Sequence, residues 1–279
     1  MKSICIKTNN NDAIEYLLDK LNNIEINNIK FSCLKFKIYT NIIIHYTGNC
    51  PPLFFYNISD ILSNLVIDVY EKNIIKRILY HDYFYFNFEE LNLILNTINK
   101  YTTYKDKKNI VSDGFYNYIM SNKSIVLDGF ITFRLKDYIS LLSNKIDKKV
   151  NDFLIEKEYT EFISLLKLYI NSEKSQTELV HLIYSPTKSI LLDQSNNSIP
   201  INTDMFNAKF LSDISFSSND YVLNTLLSLI PKKIHIHLIN NKIDEFITTL
   251  ILIFENRIEL CENCSICNLY KNKNLRKEL

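Results

Sequence analysis

The sequence predicts a mixed α+β fold, in which a helical middle section is flanked by N-terminal and C-terminal α/β segments with small sheets. Three observations carry this prediction. Apolar residues recur in steps of three or four at Ile131, Leu135, Tyr138, Leu142, Ile146, Val150 and Phe153, which draws one stripe along a helix. Short β-type runs stand at both ends: ICIKT, FSCLKFKIYT and NIIIHYTG before residue 50, and LVHLIY, SILLD and KIHIHLI after residue 175. Finally, 47% hydrophobic and 23% charged residues over 279 positions is the balance of a globular chain with a substantial core. The order of these elements, with no compositionally distinct linker between them, divides the chain into an N-terminal segment 1–52, a helical region 53–175 and a C-terminal segment 176–279.

Each element has a local reason. ICIKT resembles a strand, AIEYLLDKL follows as a helix, and two β-rich runs lead to a closing turn at Gly48-Asn49-Cys50-Pro51-Pro52. Asn57 with Asp60 can open a helix, although Ile61, Leu65, Asp68/Val69, Ile75 and Leu79 keep its period imperfectly. The aromatic run Tyr83–Phe88 interrupts the pattern, and Asn87 then caps FEELNLILNTINKY. A polar, Lys-rich connector from Thr102 to Asn109 precedes a short helix around Phe115–Met120, and after it comes the long striped helix or helix pair. LVHLIY and SILLD form a hairpin turned by Pro186-Thr187-Lys188. Ser217 with Asp220 starts the helix YVLNTLLSLI, which Pro231 stops. KIHIHLI is a strand, DEFITTLILIF a helix and RIELC a last short strand, giving a compact sheet with helices on one face.

Composition excludes several function classes. Lys+Arg 32 against Asp+Glu 31 leaves a net charge of +1, so no whole-molecule field draws nucleic acid or an anionic membrane. Three glycines, at 48, 114 and 129, are too few and too scattered for GxGxxG, a P-loop or GxSxG. HExxH and the EF-hand loop are also missing. Met1-Lys2 leads straight into a strand, unlike a secretory signal, and the longest apolar run, Phe246–Phe254, is far short of the ~18 residues of a membrane span. The expected location is the cytoplasm, with the six cysteines reduced.

Cys261-x2-Cys264-x2-Cys267 is the sharpest chemical pattern. Cys-x2-Cys lets two thiolates reach one tetrahedral ion from a tight turn, and the third cysteine can join them. His235 and His237, two apart on a strand, share a face and are candidates for the fourth ligand of a zinc site. Other readings stay open. An iron–sulfur cluster would want a fourth cysteine where Lys271 stands, a redox Cys-x2-Cys would usually open a helix after a strand, and the pattern is also readable as three reduced thiols with no ligand. The two histidines are equally readable as a half-buried surface pair, and His181 as a packed strand residue.

A charged cluster accompanies the helical stripe: Arg134, Asp137, Glu156, Glu158 and Glu161. In a Lys-rich chain with four arginines, a retained arginine suggests that a planar forked donor is wanted, and Arg134 is expected to bridge a neighbouring acid. Glu158 and Glu161 are helical neighbours that can chelate or trade protons, or form a solvated face in which Lys157 reaches Glu161. Lysines at 105–108, at 145, 148 and 149, and at 271–277 are short patches mixed with acids or Asn, and Tyr83–Phe88 lacks the interleaved bases of a stacking platform. Core or interface packing suits that aromatic run better.

The same stretch carries a likeness. A Gly-containing turn before FITFRLKDY (130–138), followed by DFLIEKEYTEFISLL (152–166), resembles the core signature of the YtxC-like family of sporulation proteins of endospore-forming bacteria. The resemblance extends through the C-terminal third and into the N-terminal part. It implies a sporulation context and no particular chemistry. The expected function is therefore that of a cytosolic sporulation-associated protein acting on a protein partner. The alternatives are a zinc enzyme or redox sensor at the cysteines, and a nucleic-acid-associated regulator.

Overall fold

The computed structural model describes residues 1–24, 28–99, 104–185, 188–201, 217–239, 242–261 and 263–275. Two compact units result, Met1–Ile155 and Glu156–Leu279. The architecture is mixed α+β, with a largely helical middle and two small sheets.

In the first unit, β1 (Lys2–Thr8) lies between β3 (Thr40–Tyr46), antiparallel, and β4 (Ser124–Val126), parallel, while β2 (Ile29–Lys35) pairs with the far side of β3. Alternation sends Ile4, Ile6, Ile42, Ile44 and Tyr46 to the buried face. Helix α1 (Asn11–Asn22) is capped by Asn10, whose Oδ1 accepts from the Ala13 N–H at 3.1 Å, and it buries Ala13, Leu17 and Leu21, one every turn.

Helix α2 begins earlier than Asn57. It spans Pro51–Leu65, with the two prolines in its first turn, where a missing N–H costs nothing. A π-helical stretch, Val66–Tyr70, joins it to α3 (Glu71–Asp82). Its wider turn advances the chain by an extra residue, which explains the imperfect apolar period read between Ile61 and Leu79. It also rotates Glu71 inward, where the residue is only 9% exposed. There the Lys107 Nζ donates to Glu71 Oε1 at 2.5 Å and the Tyr138 hydroxyl donates to Oε2. Burial holds the Lys107 ammonium below its usual pKa and pushes the Tyr138 phenol well above its own.

Asn87 and Glu90 exchange side-chain and backbone hydrogen bonds, both 2.9 Å, at the start of α4 (Phe88–Asn99). The expected connector 102–109 is helical from Tyr104, since α5 runs Tyr104–Ser121; residues 102 and 103 lie outside the described ones. Lys107, read as part of a solvated connector, is thus a core residue, paired with Glu71. Gly129 is not in a turn but in α6 (Leu127–Arg134). The stripe continues into α7 (Lys136–Ser172), where Tyr138, Leu142, Ile146 and Val150 are buried and Phe153 packs edge-on against Phe86. Residues of α7 from Glu156 onward belong to the second unit.

The second unit holds a five-stranded sheet. β5 (Leu179–Ser185) and β6 (Lys188–Asp193) form the expected hairpin, whose turn residues 186 and 187 lie outside the described ones. β7 (Ser198–Ile199) pairs with β6; β8 (Lys233–Leu238) and β9 (Ile258–Leu260) extend the other side in parallel, so the order is β7-β6-β5-β8-β9. One face packs Val180, Leu182, Ile234 and Ile236 against α8 (Ser218–Leu229), α9 (Glu245–Phe254), and Ile163 and Ile170 of α7. Helix α8 opens with the Ser217–Asp220 capping box and ends at Ile230, before Pro231. Arg257 donates to the carbonyls of Pro231 and Ile170, at 3.2 and 3.0 Å, and so uses its fork within this unit.

The expectation of helices on one face alone is corrected by α10 (Ser265–Leu275), which lies on the other. It packs Ile266 and Tyr270, one turn apart, against a small cluster of Ile183, Leu192 and Ile239. Among the described residues, no helix is long and apolar enough to cross a membrane.

The first unit's buried charge pair yields a direct prediction. Lys107→Met should destabilise that unit by about 3–5 kcal/mol in denaturant unfolding, because it leaves the Glu71 carboxylate buried without its counter-charge. A loss below about 1 kcal/mol would show that Glu71 is adequately served by Tyr138 and solvent.

Candidate metal centre

Strand β8 positions the site. Its alternation pins Ile234 and Ile236 in the core and sends His235 and His237 to the α10 side. Register then separates the two histidines. On the β5 side, His181 stands opposite His235 and Ile183 opposite His237; on the β9 side, Glu259 stands opposite His235. The ladder continues one residue past β9, with the Cys261 N–H donating to the Ile236 carbonyl at 2.9 Å, so Cys261 falls beside His237. The chain then turns into α10, where Cys264 occupies the capping position. Its carbonyl accepts from the Asn268 N–H at 3.1 Å, and the backbone N–H groups of Ile266 and Cys267 point at its sulfur. Cys267 sits in the first turn and is buried.

Three sulfurs and one imidazole nitrogen converge. The His237 Nδ1 lies 3.3 Å from Cys267 Sγ and 3.5 Å from Cys264 Sγ. Cys267 Sγ lies 3.8 Å from Cys264 Sγ and 3.7 Å from Cys261 Sγ. All four donor atoms lie within 4.8 Å of one another. Around a tetrahedral zinc, with Zn–S about 2.3 Å and Zn–N about 2.0–2.1 Å, two sulfurs stand about 3.8 Å apart and a sulfur and nitrogen about 3.6 Å. These four separations fall within about 0.3 Å of those edges.

Electrostatics suit the same use. Burial, then the neighbouring His181 and His235, pulls the His237 pKa down to about 4, so the ring is a neutral ligand at pH 7. Burial pushes the Cys261 thiol up to about 12, helped by the thiols of Cys264 and Cys267. Burial also raises Cys264, but the N–H groups at the start of α10 and the Cys261 thiol outweigh it and bring its pKa below the ordinary value. A divalent cation at this spot would supply the charge that ionises all three thiols.

His235 does not join the cluster. Its Nε2 lies 2.7 Å from Glu259 Oε2, and Glu259 Oε1 accepts from Lys233 Nζ at 2.7 Å. The Lys233 ammonium, then His235, holds the Glu259 carboxyl below the usual range. His181, which sequence reading left without a partner, has one here: its Nδ1 lies 3.0 Å from His237 Nε2. Only cross-strand register reveals that contact, since 56 residues separate the two.

The helical charged cluster is different in kind. Arg134 and Asp137 are exposed near the junction of α6 and α7, and among the described residues Arg134 makes no ion pair. Glu156, Glu158 and Glu161 are exposed on α7, with Glu161 3.9 Å from Lys157. Among the described residues, the Cys/His group is the one set of three or more such donors close enough to share an ion. Of the lysine patches, Lys107, Lys108 and Lys149 are engaged with Glu71, Asp60 and Asp152. In the aromatic run, Phe86 is buried while Phe84 and Phe88 are exposed.

The chain belongs to the YtxC-like family, whose pattern matches residues 56–259. The match takes in the helical signature, His181, His235 and His237, and stops before Cys261, so family membership does not speak for the sulfur donors. No curated protein and no solved structure matches the chain.

Purified full-length protein should carry about one zinc per chain by elemental analysis. Cys261→Ser/Cys264→Ser should lose it, while His235→Ala should keep it. Equal zinc in the double cysteine variant and the parent would place the ion elsewhere.

Proposed function

We propose that this chain is a non-catalytic, cytosolic, sporulation-associated protein that works through contacts with another protein, and that a structural zinc ion fastens its C-terminal helix to the sheet. The observation that carries the metal assignment is the convergence of Cys261, Cys264, Cys267 and His237. Four protein donors close a tetrahedral shell and leave no position for substrate, which favours a structural role over a zinc enzyme. Membership of the YtxC-like family supports the sporulation part of this reading, as the context that the likeness implies. The six free thiols suit a reducing compartment. Burial of Lys107 and the pairing of Lys108 and Lys149 with carboxylates thin two of the lysine patches that a nucleic-acid regulator would use.

Magnitudes support a structural ion. An 11-residue helix is marginal in water by itself. The apolar anchors of α10, Ile266 and Tyr270, are only partly buried, and full burial of such side chains is worth about 1.5–3 kcal/mol each. Structural zinc sites offer apparent binding free energies of about 10–16 kcal/mol. A redox sensor at the same cysteines is the second reading. It is favoured by Cys267 Sγ lying 3.7 and 3.8 Å from two half-exposed thiols.

The test is genetic. In an endospore-forming host that carries this gene, deletion should lower the yield of heat-resistant spores. An allele encoding Cys261→Ser/Cys264→Ser should reproduce the defect with reduced protein level. A deletion strain that sporulates like its parent would contradict the assignment. A serine allele that accumulates normally yet fails only under peroxide stress would favour the sensor.

A further inference from the structure

We infer that His181 is a positioning residue for the metal centre: its Nδ1 accepts the Nε2–H of His237 and thereby holds His237 with Nδ1 free to ligate. The inference rests on the zinc reading above. His237 turns one nitrogen to the sulfurs and the other to His181, with Nδ1 at 3.3 Å from Cys267 Sγ and 3.5 Å from Cys264 Sγ, and Nε2 at 3.0 Å from His181 Nδ1. A neutral imidazole carries one proton. If Nδ1 gives its lone pair to a metal, that proton sits on Nε2, and the atom facing it must be an acceptor. His181 Nδ1 is that atom, so His181 itself carries its proton on Nε2.

The fold holds this arrangement from both sides. His181 on β5 and His237 on the adjacent parallel strand β8 meet diagonally, two residues off register, and their rings lie 5.3 Å apart at an interplanar angle of 30°. The His235 ring meets His181 edge-on at 5.3 Å, and is itself anchored through its Nε2 to Glu259. His181 is therefore wedged between a fixed ring and the ligand ring, which limits rotation of both. Partners of this kind around metal-bound histidines set tautomer and orientation, and their loss costs about 10–100-fold in metal affinity.

The test uses full-length protein, zinc competition against a chromogenic chelator, and cobalt as a spectroscopic replacement. His181→Ala should weaken zinc about 10–100-fold and alter the visible cobalt bands of a three-sulfur, one-nitrogen site. His181→Asn, whose Oδ1 takes the place of Nδ1, should restore affinity to within about threefold of the parent. If His181→Ala does not fold, His181→Leu replaces it, because leucine keeps bulk but offers no acceptor. Long-range nitrogen–proton NMR of the zinc protein should show His237 protonated on Nε2. A parent protein that binds no zinc would sink the metal reading itself. Zinc binding in the parent with an unchanged His181→Ala affinity, failed rescue by asparagine, or a His237 protonated on Nδ1 would each overturn the positioning role alone.

Discussion

The second unit depends on the two-residue alternation of β8. Ile234 and Ile236 are fully buried beneath α8 and α9, and their burial leaves the strand no freedom to slip. A one-residue shift would drag both isoleucines into the α10 side and both histidines into the core. The hydrophobic face thus fixes where His237 points, and the neighbouring strands decide what it meets. β9 brings Cys261 alongside, β5 brings His181, and the turn into α10 brings Cys264 and Cys267. The site is the edge of a sheet meeting the first turn of a helix.

The first unit follows a different logic. Its core is large, and it tolerates an ion pair because the pair is satisfied. The π-helical turn at Val66–Tyr70 brings Glu71 inside, and Lys107 and Tyr138 occupy its two oxygens. Such a pair contributes specificity more than stability, since apolar replacements of equal volume commonly do as well. Its position ties α3, α5 and α7 to one another through the contacts of Glu71 with Lys107 and Tyr138. The most regular part of the family-matched sequence, the stripe along α6 and α7, is thereby locked in phase with the rest of the core.

Much of this was legible from residues alone, where the signal is local. Short β-type runs located β1, β3, β5, β6 and β8, and Asn87 and the Ser217–Asp220 pair marked helix starts; the Glu90 side chain that answers Asn87 emerged only in the structure. Cysteine spacing pointed to the sulfur donors. The choice between His235 and His237 was not legible, because both share one face of one strand and only the register of β9 assigns Glu259 to the first. His181 was invisible for the same reason. Pro51-Pro52 looked like a loop closing when it is a first helical turn, and Lys107 looked solvated because nothing nearby in sequence announces that Glu71 turns inward. The forked donor sought at Arg134 is used instead at Arg257, on carbonyls 26 and 87 residues away.

A cross-link between sheet and helix makes a local claim about stability, and amide hydrogen exchange reads local stability. Exchange should be followed by mass spectrometry on the zinc-loaded protein and on the same protein after chelation. Chelation should speed exchange across 265–275 by at least about a hundredfold, while β5 and β6 in 179–193 and the first unit keep their protection. Exchange in α10 that is indifferent to the metal, or a loss of protection spread evenly over the whole chain, would contradict such a cross-link.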